Sequence, residues 1–359
     1  MKNYVVIGGG IAGISAAARL SAEAQVTVLE MEDGLGYHAS GRSAAMFEEN
    51  YGLPSTVALN RASSAFFHTE NGGYLNPRGF MVVAGPGEEK KFTQDLKELE
   101  LERIDATEAR QRVPILDPDH VTMAGWHEDA QDLDTDRLIQ DFAKTVRQNG
   151  GQVLTRQEVT GIVRIGGLWK LTMRSGAEHN ATHIVNAAGP WVDQIANLAG
   201  INPIGIRPLR RSVARLPAPG DFDVANWPMV MGVGESWYAK PDAGKLLVSP
   251  AEEDLSFPHD AFTDDLVLAE GLARFEAKVT TEVTRVETSW AGLRSFSPDR
   301  ALVLGPDPEE PSFVWSAAQG GYGFQTAPAA SQLVADLSLG RRPVLPPEIV
   351  SQFAPGRFR

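Results

Sequence analysis

Apolar and polar positions alternate along this chain so as to cut it into short buried strands, glycine turns and a few longer helical stretches. Tyr4–Ile7 is a β-branched and aromatic run, the pattern of a buried strand. Ile14 to Ala24 carries small and apolar residues at helical spacing with no proline, which predicts a helix. Gln25–Glu30 reads as a second strand that ends on an acid. Helices are expected further on at Thr56–Thr69, at the charged and solvated stretch Glu88–Glu108, at Asp134–Gly150 behind an acidic cap, and at Ala327–Leu337. Strands are expected at Gly79–Ala84, Gln152–Thr155, Thr182–Val185, Ala301–Leu304 and Phe313–Ala317. Thr160–Ile165 and Trp169–Arg174 flank Gly166-Gly167 as a hairpin. Ile206–Leu216, Ser236–Ala239 and Lys245–Ser249 suit a mixed or antiparallel sheet whose separators are rich in proline (Pro217, Pro219, Pro228, Pro241). The last dozen residues read as a tail.

Between the first strand and the first helix lies Gly8-Gly9-Gly10-Ile11-Ala12-Gly13, a match to G-x-G-x-x-G. Each glycine has its own physical role. Gly8 permits a tight turn, Gly10 lets backbone approach a pyrophosphate, and Gly13 lets helix and strand pack closely. The helix N-terminus adds N–H donors and partial positive charge for phosphates. Glu30, about twenty residues on, is placed to accept hydrogen bonds from a ribose diol, which favours FAD or NAD over NADP. Two further strand-to-small-residue turns, Asn186-Ala187-Ala188-Gly189-Pro190-Trp191 and Gln319–Thr326, mark other places where backbone could meet a cofactor. The small polar run Tyr37–Ala45 suits close approach to a flat ring system.

Composition narrows the reading. At 359 residues the chain exceeds one comfortable core, and its 43% hydrophobic and 22% charged residues are those of an ordinary globular protein. A formal charge of −13 argues against nucleic acid or an anionic membrane as partner. With no cysteine, disulfides, thiolate catalysis and flavin attachment through sulfur are excluded. No signal peptide and no membrane span are expected, so the cytoplasm is the expected compartment. The histidines other than His38 show no ligand spacing, and no metal is expected.

Gly8–Gly13 with Glu30, Gly41-Arg42-Ser43-Ala44-Ala45, Asn186–Trp191 and Gln319–Gln325 together resemble the D-amino-acid oxidase/glycine oxidase family of FAD enzymes, over nearly the whole chain. Within it, Tyr37–Ser43, Trp290–Phe296 and Ala317–Gly323 look most like the bacterial D-arginine dehydrogenase type. The resemblance implies an α/β (α+β two-domain) fold: a glutathione-reductase-type Rossmann FAD-binding domain (residues 1–45, 136–206 and 293–359) and a substrate domain on a mostly antiparallel sheet (residues 46–135 and 207–292). It further implies that Ala12 sits by the pyrophosphate and that Glu30 and Met31 sit by the adenosine end. Ala39, Ser40, Gly41, Arg42, Ser43, Ala44, Ala45 and Met46 would run along the pyrophosphate and isoalloxazine. Val159 would bind the adenine by its backbone, Gly189 would approach the cofactor, and Gly320, Gly321, Tyr322, Gly323, Phe324 and Gln325 would close over the flavin's polar edge.

The same resemblance implies a hydride moving from Cα of an amino acid to flavin N5, giving an imino acid that hydrolyses to a 2-oxo acid and ammonia. Such a substrate needs its carboxylate held by a planar fork, and Arg294 matches the family's anchor, with Arg211 as second arginine and Tyr51 and Tyr238 as hydroxyl donors. Neighbours on a strand face opposite ways, so Arg210 would point away from Arg211, and a shift of one residue would exchange them. Phe80 and Met46 stand where arginine-specific relatives carry a glutamate and a histidine, which favours an apolar side chain. Glu48 could instead supply a displaced acidic contact. A carbonyl of Gly320-Gly321 could orient the amine. His38 resembles the residue through which some relatives attach flavin covalently, but noncovalent FAD is expected. The acceptor is a quinone or oxygen; Lys245 falls near the place of an oxygen-activating lysine, yet a dehydrogenase is expected. N-methyl or cyclic secondary amino acid oxidation, a nicotinamide-dependent dehydrogenase and a nonenzymatic flavin-binding subunit remain the alternatives.

Overall fold

The computed structural model describes residues 2–359. Asn3–Ile7 lies centrally in a six-stranded sheet, parallel to Gln25–Leu29 on one side and His183–Asn186 on the other. Gln152–Leu154 and Phe313–Ala317 extend the parallel run, and Val303–Pro306 closes one edge antiparallel. The continuous apolar strand pattern has a simple cause: both faces are covered. Tyr4 and Val6 face a core shared with the helices Ile11–Leu20, Thr135–Gln148 and Gly323–Leu339, while Val5 and Ile7 face a second core. That second core is built from the hairpin sheet Val159–Ile165, Leu168–Met173 and Glu178–Ala181 and from the helix Val192–Leu198.

A nine-stranded sheet forms the other wall. Its long pair, Arg207–Leu216 and Thr288–Phe296, is antiparallel over the full register from Arg207↔Phe296 to Arg215↔Thr288. Phe80–Ala84 pairs parallel with Met229–Gly232 and antiparallel with Met123–His127. Period-2 alternation again divides the faces: Met81 and Val83 join a core with Leu268 and Leu272, whereas Phe80 and Val82 face the same side as Met231 and Tyr238. The strand Thr288–Phe296 is one element of this sheet, so the expected domain boundary at residue 293 falls inside it.

Three sequence expectations are corrected. The first helix begins at Ile11 rather than Ile14, because Gly10 takes the extended N-cap conformation and Ser40 Oγ accepts the Ile11 N–H at 3.0 Å. The charged stretch Glu88–Glu108 is not one helix but Glu89–Glu98, the strand Glu102–Ile104 and part of Ala106–Arg112. Glu100 turns the chain there with φ +52°, and Leu99, Leu101 and Ile104 are buried beneath it. The expected tail is docked: Phe353 is fully buried, and Arg357 donates to the carbonyls of Ala301 and Leu302, both at 3.0 Å. The strands Met123–His127 and Gln131–Leu133 and the helix Asp265–Glu276 went unpredicted. Among the described residues, no helix is long and apolar enough to cross a membrane.

Candidate active site

A cleft of about 400 Å³ runs between the two sheets, from Gly8 at one end to Arg211 and Tyr238 at the other. Its nucleotide wall is built of backbone. Gly8 adopts φ +109°, and a Cβ there would lie 2.4 Å from the carbonyl oxygen of Ala187. A Cβ at Gly13 would come within 1.9 Å of the Gly8 carbonyl, so strand, turn and helix close on each other only without side chains. Glu30 is buried, with one carboxylate oxygen accepting the Gly9 N–H at 2.6 Å and the other the Glu32 N–H at 2.8 Å. Backbone N–H groups thus hold both oxygens of this acid in place.

Of the residues expected along the cofactor, Gly8, Gly10, Ala12, Glu30, Met31, Ala39, Ser40, Arg42, Ser43, Ala44, Ala45, Met46, Val159, Gly189, Gly320, Gly321, Gly323, Phe324 and Gln325 line the cleft. Gly13, Gly41 and Tyr322 do not: the two glycines serve packing, and the Tyr322 ring turns to Tyr51, 5.3 Å between centroids. The Arg42 guanidinium is also committed elsewhere, to the carbonyls of Ala261 and Ala291 (both 2.9 Å) and to Asp260. Arg42 thereby ties its loop to the large sheet. The loop packs against the same strand at Gly292, where a Cβ would meet Ala39 Cα at an ordinary 3.5 Å. His38 has its Nε2 2.8 Å from Glu32, with Trp191 4.8 Å away between ring centroids.

The opposite wall is built of side chains. Arg211 faces Gly292 across the long strand pair, and Arg294 lies two residues beyond Gly292 on the same face. Arg210 points away and pairs with Asp254 at 3.0 Å. Gly320 N–H donates to Ser295 O at 2.9 Å, pinning the glycine turn to the strand that carries Arg294. Gly321 then lies directly against the guanidinium; a Cβ there would be 2.9 Å from Arg294 Cζ. Gln325 Nε2 donates to Tyr51 O at 3.1 Å, linking the same turn to Tyr51.

Arg211, Arg294 and Tyr51 converge on one point, which holds the carboxylate of Glu235. Arg211 Nη1 lies 2.6 Å from Oε1, Arg294 Nη1 3.4 Å from the same atom, and the Tyr51 hydroxyl 3.1 Å from both oxygens. Burial alone would raise the Glu235 carboxyl, but the two guanidiniums outweigh it and hold it below its ordinary value. Burial, with Glu235 adding to it, pushes the Tyr51 phenol well up, so it stays a donor. Burial works against the charge on Arg294, yet Tyr51, Glu235 and Tyr238 keep that guanidinium firmly protonated. Tyr238 is buried and lines the cleft nearby. Sequence reading missed Glu235, whose only mark is a turn, Gly232-Val233-Gly234-Glu235, with no spacing that connects it to either arginine.

Beside this cluster the wall is apolar: Met46, Phe80, Val213, Met229 and Met231 line it. Glu48 also reaches the cleft, but it is not free. One oxygen accepts the Asn50 N–H at 3.1 Å, and the other pairs with His127 Nδ1 at 2.7 Å, which lifts the His127 imidazole above its ordinary value. Lys245 pairs with Glu287 at 2.8 Å and does not line the cleft. Lys240 instead donates to the carbonyls of Ala44 and Ala45, at 3.3 and 3.0 Å. Among the described residues no cluster of His, Asp or Glu has the geometry of a metal site.

Comparison with known proteins agrees with this architecture. The structure is similar to that of L-proline dehydrogenase from P. horikoshii, with TM-score 0.83 and 24% identity, covering 99% of this chain and 97% of that one. Glycine oxidase of Pseudomonas putida is 23% identical over 363 residues, 96% of this chain and 97% of that protein. L-2-hydroxyglutarate dehydrogenase of Escherichia coli (strain UMN026) is 28% identical over 244 residues, covering 63% of this chain, which spans only 56% of that protein's length. These names do not support the finer likeness to D-arginine dehydrogenases. Residues 3–337 match the DAO family, described as FAD dependent oxidoreductase, and the cleft offers a glycine cradle, a buried acid held by backbone N–H groups and a loop of small residues that fit FAD. The chain belongs to the DAO family of FAD-dependent oxidoreductases.

Proposed function

We propose that the chain oxidises a D-amino acid with an apolar side chain, as a dehydrogenase holding FAD noncovalently. One observation carries the reading: two arginines and a tyrosine hydroxyl from distant parts of the chain converge on a single carboxylate. The relatives named above act on glycine, L-proline and L-2-hydroxyglutarate, and each of these is a small carboxylate with an oxidisable α-carbon.

When bound, the flavin supplies the hydride acceptor. This chain's residues do the rest. Arg294, with Arg211, anchors the carboxylate; Tyr51 and Tyr238 donate hydroxyl hydrogen bonds; the Gly320-Gly321 turn orients the amine. Phe80, Met46, Met229 and Met231 take the side chain and exclude water. Glu48 is engaged by His127 and leaves no free acid for a cationic side chain, which supports the apolar preference. The position of Lys245 on the Glu287 pair, away from the cleft, supports a dehydrogenase using a quinone rather than oxygen. His38, held by Glu32, supports noncovalent FAD. A second reading, oxidation of a proline-like secondary amino acid, is favoured by the apolar wall together with the likeness to L-proline dehydrogenase.

Anaerobic mixing of the yellow protein with D-amino acids, their L-enantiomers, proline and sarcosine, followed at the flavin band, tests the reading. Apolar D-amino acids are expected to bleach the flavin fastest, with dye reduction exceeding peroxide release in air. Bleaching by secondary amines alone would move the assignment to the second reading. Bleaching by no amino acid would overturn both.

A further inference from the structure

The donor set that suits a substrate carboxylate is occupied by the chain's own Glu235. Glu235 lines the same cleft as the two arginines it pairs with, and its side chain is 30% exposed against 20% for Arg294 and 6% for Arg211, so it is the least enclosed member of the cluster. It stands on the short turn Val233–Glu235, between the strands Met229–Gly232 and Tyr238–Asp242, both of which contribute to the cleft wall. Gly234 at the apex is exposed, and Gly234 and Glu235 both take left-handed backbone, φ +65° and +53°. For a glutamate that conformation is disfavoured. The Gly234 N–H, donated to Asp95 Oδ2 at 2.7 Å, ties the apex to the neighbouring helix Glu89–Glu98, and Val233 shares a core with Phe92 of that helix.

We infer that Glu235 is an internal ligand of the carboxylate subsite, a specificity-determining residue that a substrate carboxylate must displace before it can reach Arg211, Arg294 and Tyr51. The inference rests on the reading of those three groups as a carboxylate anchor. Its chemical consequence is selection. A carboxylate with nothing else to offer exchanges one anion for another and gains little. A carboxylate that also brings an amine to the Gly320-Gly321 turn and an apolar group to Phe80 and Met231 gains contacts that Glu235 does not make. Small carboxylates that are abundant but unreactive are thereby kept out of the site.

The test is calorimetric titration of propanoate, a carboxylate with no amine, into the flavin-loaded wild type, Glu235→Gln, Glu235→Ala and Arg294→Met proteins. Glu235→Gln keeps the shape and removes the charge; Glu235→Ala removes the group. Both are expected to bind propanoate about tenfold more tightly than wild type, the reciprocal of a subsite that is free about one tenth of the time. In stopped flow, the wild-type binding rate is expected to level off at high propanoate, limited by Glu235 release, and to rise linearly in the two variants. Arg294→Met is expected to bind none. Equal or weaker binding by both Glu235 variants, with Arg294→Met still abolishing it, would make Glu235 a fixed counter-ion and overturn this inference alone. Absence of arginine-dependent binding in every protein would overturn the carboxylate anchor itself.

Discussion

The two walls of the cleft are made of different material. The nucleotide wall is backbone: within thirty residues a strand, three glycines and a helix form a surface whose shape depends on missing Cβ atoms. The opposite wall is side chain: Arg211 and Arg294 stand on paired strands of the nine-stranded sheet, Glu235 on a turn between two others, and Tyr51 arrives from outside that sheet on a segment held by Gln325. A wall of the first kind fails when an atom is added. A wall of the second kind fails when a charge is removed.

The sharpest way to separate the walls is to damage each alone. Gly13→Ala adds a methyl 1.9 Å from a backbone oxygen that has no room to move. Overpacking of about 1–3 kcal/mol or more follows. The protein is expected to purify colourless with a lowered melting temperature, read by flavin absorbance and calorimetry. Arg294→Met should do the reverse, retaining full flavin while kcat/KM for the amino acid falls by about two to four orders of magnitude, from about 3–5 kcal/mol lost when one partner of a largely desolvated ion pair is removed. A colourless Arg294→Met protein would show that the walls are not independent.

Gly321→Ala probes the seam between them. Its Cβ would lie 2.9 Å from Arg294 Cζ, so the guanidinium must shift while the cofactor loop keeps its course. The expected result is a KM raised about tenfold, close to 1.4 kcal/mol, with flavin content unchanged.

The smallest effect belongs to His127, whose Glu48 hydrogen bond raises it above its ordinary value of 6.5. A raised folded value means the stabilisation is fully present below 6.5 and fades as pH rises through the folded value. Replacing His127 with Asn should therefore lower the melting temperature at mildly acidic pH, by about 0.5–1 kcal/mol of stability, and make little difference at alkaline pH.

The contrast also explains what could be read from the sequence. Gly8, Gly13 and Glu30 are legible because what they do is local. The turn, the packing of Gly13 on Gly8 and the acid that accepts the Gly9 N–H occur within one stretch, at a spacing the backbone dictates. Arg210 and Arg211 illustrate the limit. Strand alternation says that they face opposite ways, but only the pairing of Arg211 with Gly292 says which faces the cleft. Glu235 was illegible because its partners lie 24 and 59 residues away, and nothing in a Val-Gly-Glu turn encodes them. The docked C-terminal segment escaped notice for a similar reason. Phe353 is apolar without periodicity, and its burial depends on Leu304, whose N–H donates to Phe353 O at 2.9 Å.

The carboxylate anchor is tested most directly by offering one amino acid in two forms. The amino acid that bleaches the flavin fastest is presented anaerobically as the free acid and as its methyl ester, which keeps the amine and side chain but has no carboxylate charge. Wild type is expected to be reduced by the acid at least about a hundredfold faster than by the ester, and Arg294→Met to show almost no preference. An ester that reduces the wild-type flavin as fast as the acid does would mean that Arg211 and Arg294 anchor nothing in the reaction.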